Sequence, residues 1–235
     1  DGIDSSIVAN GTALAGDAWL PAVGYHPGRE LQAAAARQAH GLPARPMVAA
    51  LEDGIARADA TRGAPVRVEA TVSTDADQVA VAPGRLVRTW TTNGRRYFHY
   101  ATDVPIRNDY VVFSAAYAVR DARWNEVSIQ VLHHPTHGAN VDRMIDSVRA
   151  SLDYLTRVFG PYPHRQLRLV ERPGGVVRLH ASPINIYYEE PFALLKPDAD
   201  GRAIDLAFAV VAHEVAHQWW GNTLIPAEVQ GAALL

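Results

Sequence analysis

The chain has no cysteine among its 235 residues, which removes disulfides, thiol nucleophiles and thiolate-bound metals from this segment without fixing its compartment. Charge of one sign is missing too. The 22 Lys and Arg stand scattered against 25 Asp and Glu for a net charge of −3, so neither nucleic acid nor an anionic membrane surface is an expected partner. Long apolar runs are absent as well: the longest, Leu206 to Ala212, falls far short of the ~18 to 20 residues that a membrane helix needs. No secretory leader pattern opens the chain, and the segment is expected to be soluble whatever it is attached to. What is present is 48% hydrophobic, enough for a sizeable core in one or two domains.

Residues 1 to about 62 read as loop-rich, with short helical patches at Arg29–Arg37 and Pro46–Ala60. From Val66 the texture turns to short β-prone runs divided by turn residues: Val66–Thr74, Gln78–Ala82, Leu86–Thr92, Arg96–Ala101, Tyr110–Val119 and Val127–His133. Asn93-Gly94, between two of these runs, signals a two-residue hairpin because both positions accept positive φ. Asp75 and Asp77 read as turn formers. Beyond Asn140 the apolar residues Val141, Met144, Ile145, Val148, Leu152, Leu155 and Phe159 recur at three- and four-residue steps, an amphipathic helix that Gly160-Pro161 ends. Strands Gln166–Glu171 and Ile184–Tyr188 follow. The predicted fold class is α+β, with a mostly antiparallel β-rich part over residues 1–135 and an α/β part over 136–235. There is no internal repeat.

The last helix carries the chemistry. Ile204, Leu206, Ala207, Phe208, Val210, Val211 and Ala212 form an apolar run, with Pro197-Asp198-Ala199-Asp200-Gly201 as the turn before it and Gly221-Asn222 as the stop after it. A helix of about 17 residues starting near Ile204 is predicted, on the order of 25 Å long. On it lies His213-Glu214-Val215-Ala216-His217. Positions i and i+4 share a helical face, so the two imidazoles can meet one metal ion with the Glu beside it. Zinc held this way brings a coordinated water towards a pKa of roughly 7, and a neighbouring carboxylate can take its proton and pass it to a leaving amine. Chance alone places this five-residue pattern in roughly 2 of 100 shuffled sequences, so the weight falls on its helical context. The competing reading, two core histidines on an amphipathic helix, leaves Glu214 buried without a partner.

A catalytic zinc takes three protein ligands, and His213 and His217 supply two. Here His213 to Asn222 resembles the zinc helix of the aminopeptidase N family of metallopeptidases, the gluzincins. Ala9-Asn10-Gly11-Thr12, Asp77 to Gly84, Asn140 to Ile145 and Phe159-Gly160-Pro161-Tyr162 resemble more narrowly the peptidase part of bacterial proteins that fuse such a domain to an ABC-transporter-type permease. The resemblance implies a thermolysin-like catalytic domain after the β-rich part, with Zn2+ as cofactor and a peptide as substrate. It also implies Glu214 as general base, and a membrane-associated parent whose soluble domain is extracytoplasmic, the cytoplasmic side being the alternative. The family's third ligand is a Glu about nineteen residues past the second His, beyond Leu235, and its oxyanion-stabilising Tyr lies further on. Glu228 is the sole carboxylate after Ala227 and reads as a solvated loop residue, while Gly231 to Leu235 reads as the start of a helix. The chain is thus expected to be a fragment that by itself holds zinc weakly and hydrolyses little.

One departure bears on specificity. The family's Gly-x-Met-Glu-Asn strand, whose Glu holds the substrate's free amine, has no counterpart in Ala181 to Glu190. Glu189 or Glu190 is the candidate to take that role at an active-site rim, with a solvated pair before Pro191 as the alternative. A non-catalytic peptide-binding or sensor module attached to a transporter is the alternative function. His133, His134 and His137 read as turn histidines, with a metal or substrate role the lesser reading, because Pro135 bars regular geometry and no acid lies near in sequence. Trp219 and Trp220 could line a pocket, yet tryptophans at a helix end more often close a core, and at least one is read so.

Overall fold

A computed structural model describes residues 6–16, 31, 33–44, 65–174, 179–196 and 204–224. The Pro46–Ala60 patch, the Pro197 to Gly201 turn, Glu228 and Gly231 to Leu235 lie outside the described residues, as does most of Arg29 to Ala33. In chain order the elements are β1 (Ser6–Val8), β2 (Gly11–Ala15), α1 (Ala34–Ala39), β3 (Glu69–Asp75), β4 (Val79–Val81), β5 (Arg85–Thr92), β6 (Arg95–Ala101), β7 (Val111–Ala115), β8 (Ala118–Trp124), β9 (Val127–His133), α2 (Val141–Phe159), β10 (Gln166–Glu171), β11 (His180–Ala181), β12 (Asn185–Tyr188), α3 (Glu190–Ala193) and α4 (Leu206–Ala216). The class is α+β with mostly antiparallel sheets, as the sequence predicts. None of the described helices is long and apolar enough to cross a membrane.

Among the described residues three sheets form, in the orders β1-β2-β7-β4, β3-β6-β5 and β11-β12-β10-β9-β8. Of these described strands, β9, β10 and β12 run parallel and the other pairings are antiparallel. The five-stranded sheet draws β8 and β9 from before residue 136 and the rest from after it, so the expected boundary falls between strands of one sheet.

Alternation across that sheet sets its two faces. Ile129, Val131, Leu167, Leu169, Ile186 and Tyr188 point to one face, where α2 and α4 cover them. Leu132, Val170 and Tyr187 point to the other, against Ala13, Ala15, Val81, Val111 and Phe113 of the four-stranded sheet. Helix α2 buries Val141, Met144, Ile145, Val148, Leu152 and Leu155, each contributing about 1.5–3 kcal/mol of apolar burial. Small Ser147 lets α4 come close, its hydroxyl donating to the Phe208 carbonyl at 2.7 Å.

Asn93 and Gly94 hold φ of 50° and 74°, closing the β5–β6 hairpin as the sequence requires. Elsewhere the elements differ from expectation. Residues 1–62, read as loop-rich, contain the β1–β2 hairpin, whose inward face is the small pair Ala13 and Ala15 and so carries little hydrophobic signal. The run Tyr110–Val119 is divided: Tyr117 N–H bonds back to the Ala115 carbonyl at 2.8 Å, turning the chain out of the four-stranded sheet and into the five-stranded one. Helix α4 spans 11 residues rather than about 17. It loosens at Gln218 and Trp219, whose N–H groups bond three residues back to Val215 and Ala216, and Gly221 turns it away at a φ of 92°.

Candidate metal centre

Helix α4 begins at Asp205, whose carboxylate accepts the Phe208 N–H at 3.0 Å and pairs with Arg143 of α2. Its buried side, with Ala207, Val211 and Val215, is seated on α2 and the sheet, which fixes the rotation of the last turn. His213 then lies exposed, His217 half-exposed and Glu214 buried, at 6% exposure.

The two rings stand at 88° with centroids 4.7 Å apart, and their Nε2 atoms approach to 3.2 Å. His217 Nδ1 donates to the Trp220 carbonyl at 3.1 Å, which places the ring proton there and leaves the Nε2 lone pair for another partner. Two fits are open to such a pair: a His213 Nε2–H donating to His217 Nε2, or both lone pairs on one cation. At Zn–N bonds of about 2.05 Å, nitrogens 3.2 Å apart subtend about 103°, close to tetrahedral. A carboxylate oxygen of Glu214 lies within 4.8 Å of a ring nitrogen of each histidine. Among the described residues no other His, Asp or Glu joins these three. Burial pushes the Glu214 pKa up, while the charges of His217, His213 and His180 pull it down.

The segment following the helix is clipped to the edge of the five-stranded sheet. Gln218, 2% exposed, accepts the Ile184 N–H at 2.9 Å and donates to the Ser182 carbonyl at 3.1 Å. Asn222 donates to the Ala181 carbonyl at 3.1 Å. From the β-rich side, Arg107 donates to the Gly221 carbonyl at 2.8 Å and pairs with Asp109, which lies 3.7 Å from His180 Nε2.

Trp219 belongs to the core and donates to the Gly160 carbonyl at 3.1 Å; Trp220 packs edge-on against Phe159 at 4.4 Å. Both therefore close the helix pair. Glu189 and Glu190 are not brought to the histidines. They follow the end of β12 remote from Ile184, separated from it by roughly 16 Å of extended chain. Glu189 is buried at the start of α3, and Glu190 lies 3.4 Å from His137 Nε2. The turn histidines also differ from expectation. His133 is buried, and His137 Nδ1 meets Glu171 Oε1 at 2.6 Å, so the acids missing locally arrive from β10 and α3. Each His137 nitrogen faces a carboxylate, so the turn is tied to β10 and α3.

The sequence reading missed His180, Asp109, Arg107 and the role of Gln218. Gln218 and Asn222 were within the quoted motif; nothing local marks the others.

No protein-family model matches the chain, and no curated protein is significantly similar to it.

Proposed function

We propose that His213 and His217 hold a zinc ion and that Glu214 is the general base of a peptide-bond hydrolase, in a thermolysin-like, aminopeptidase-like arrangement. A third ligand would come from outside the described residues. The observation that carries this is the convergence of two Nε2 atoms, one with its tautomer set by the Trp220 carbonyl, beside a buried carboxylate. When bound, zinc supplies Lewis acidity that polarises a carbonyl and acidifies water. Glu214 takes a proton as water oxygen bonds to the carbonyl carbon, then gives it to the nitrogen as the C–N bond breaks, leaving a free acid and an amine. His213 and His217 orient the ion. Gln218 and Asn222 hold the neighbouring strand edge in place. The parent is proposed to be membrane-associated, with this part on the extracytoplasmic side.

In the full-length protein, Glu214→Gln should lower kcat on peptides by roughly 10²–10⁴-fold while zinc stays near one per chain, and His217→Ala should lose the zinc. Hydrolysis surviving Glu214→Gln would remove that residue from the mechanism.

A second reading, a peptide-binding module without catalysis, is favoured by the placement of Glu189 and Glu190 away from the histidines, which removes the two candidates for holding the substrate amine. Zinc binding with no hydrolysis by the wild-type protein would select it.

A further inference from the structure

The turn that ends the metal-bearing helix is held from the other half of the chain. We infer that Arg107 is a positioning residue for the metal ligand His217: it clamps the backbone turn whose carbonyl sets the ring's proton, so that zinc affinity depends on the β-rich half as well as on the helix. This rests on the zinc reading above.

Two successive peptide units after His217 carry the arrangement. The unit joining Trp220 to Gly221 is bonded at both ends, its oxygen accepting His217 Nδ1–H at 3.1 Å and its N–H donating to the Leu224 carbonyl at 2.7 Å. The oxygen of the next unit, that of Gly221, accepts from Arg107 Nη1 at 2.8 Å. The pivot between the two units is Gly221 itself, at a φ of 92°. A glycine has no Cβ to limit its torsions, so the aim of the Trp220 carbonyl is fixed only if the far side of the pivot is held. Arg107 holds it with a charged donor whose side chain is 10% exposed, the setting in which such a bond is strong. The loop that presents Arg107 is anchored in turn. Ile106 and Val66 exchange two backbone bonds of 2.8 Å, and the guanidinium pairs with Asp109.

The consequence is chemical. A neutral imidazole carries one proton and can ligate only through its other nitrogen. With the proton on Nδ1, the His217 Nε2 lone pair stands 3.2 Å from His213 Nε2, ready for a shared ion. A Trp220 carbonyl that swings away releases that choice, and a metal must then select the tautomer and the ring angle as it binds. The competing reading makes Arg107 a staple between the two halves. A staple changes unfolding and leaves the His217 proton in place.

The test uses the full-length protein with nitrogen-labelled histidines, read metal-free by long-range nitrogen–proton NMR and then titrated with zinc against a chromogenic chelator. Wild type should show His217 as the Nδ1–H tautomer. Arg107→Met should show a mixture of tautomers and bind zinc about 10-fold more weakly, with kcat on peptides recovering once zinc saturates. Arg107→Lys, which keeps a charged donor, should lose less. Asp205→Ala, which loosens the same helix at its other end, should leave tautomer and zinc affinity at wild type. One arm needs no variant: by reciprocity, zinc should slow exchange of the Arg107 guanidinium protons about as much as the bond strengthens zinc binding. A wild-type tautomer and zinc affinity in Arg107→Met, while His217→Ala loses zinc, would overturn this inference alone. So would an exchange rate indifferent to zinc, or an equal loss of affinity in Asp205→Ala. A wild-type protein that binds no zinc would overturn it together with the reading beneath it.

Discussion

His164 is a buried imidazole whose Nδ1 has no hydrogen-bond partner among the described residues, its ring edge-on to Tyr162 at 5.3 Å. Burial pushes its pKa down to about 4, with the Asp103 carboxylate pulling weakly the other way. Unfolded, the same ring titrates near 6.5. Between those values the unfolded chain binds a proton that the folded chain refuses, so stability is complete above about pH 6.5 and is lost as pH falls towards 4. The full loss is on the order of 3 kcal/mol. Denaturant midpoints at about pH 7.5 and about pH 4.5 should fall further for wild type than for His164→Gln; equal falls would show that this ring does not drive the acid sensitivity.

At the scale of the element, α4 depends on its first residue as well as its last. Asp205 caps it, and the bond from Arg143, with the Phe208 N–H, holds its carboxyl below the usual range. Asp205→Ala should cost about 1 kcal/mol, whereas Asp205→Ser, which keeps a capping oxygen, should cost less. Denaturant unfolding of the two variants decides this, and equal costs would assign the effect to the ion pair instead. The same helix shows what the sequence could convey. Its motif and apolar run were legible because both are local, and α2 was legible to the residue because heptad-like spacing and Gly160 mark its course and end. The length of α4 was not, since its stop signal at Gly221 comes after the hydrogen bonding has already shifted at Gln218. Strand β8, with Arg120, Asp121 and Arg123 outward, has no apolar run to find. His180 was invisible because β11 has two residues and its supports lie at Asp109, Gln218 and Asn222.

Across the whole molecule, Arg168 joins layers that the strands alone do not. Its guanidinium, 1% exposed at the centre of β10, donates to Gly84 O at 2.8 Å, Gln130 Oε1 at 3.0 Å, Asn185 Oδ1 at 3.3 Å and Gln166, and lies over the Tyr100 ring at 5.0 Å. Those hydrogen-bond acceptors are all neutral, and burial draws the pKa down. Arg168→Ala would strand them in the interior at a cost of roughly 3 kcal/mol or more. Calorimetry of that variant should show one earlier transition, and a loss under about 1 kcal/mol would mean that the sheets hold without it. Ile184 is the other place where distant parts depend on one another. A β-branched residue at a φ of 74° sits against its own preference by roughly 1–3 kcal/mol, and Gln218 is what holds its N–H. Unwinding the turn past His217 would let that backbone spring back, and a slip of the strand would free the turn, because Gln218 and Asn222 tie the helix end to residues 181–184.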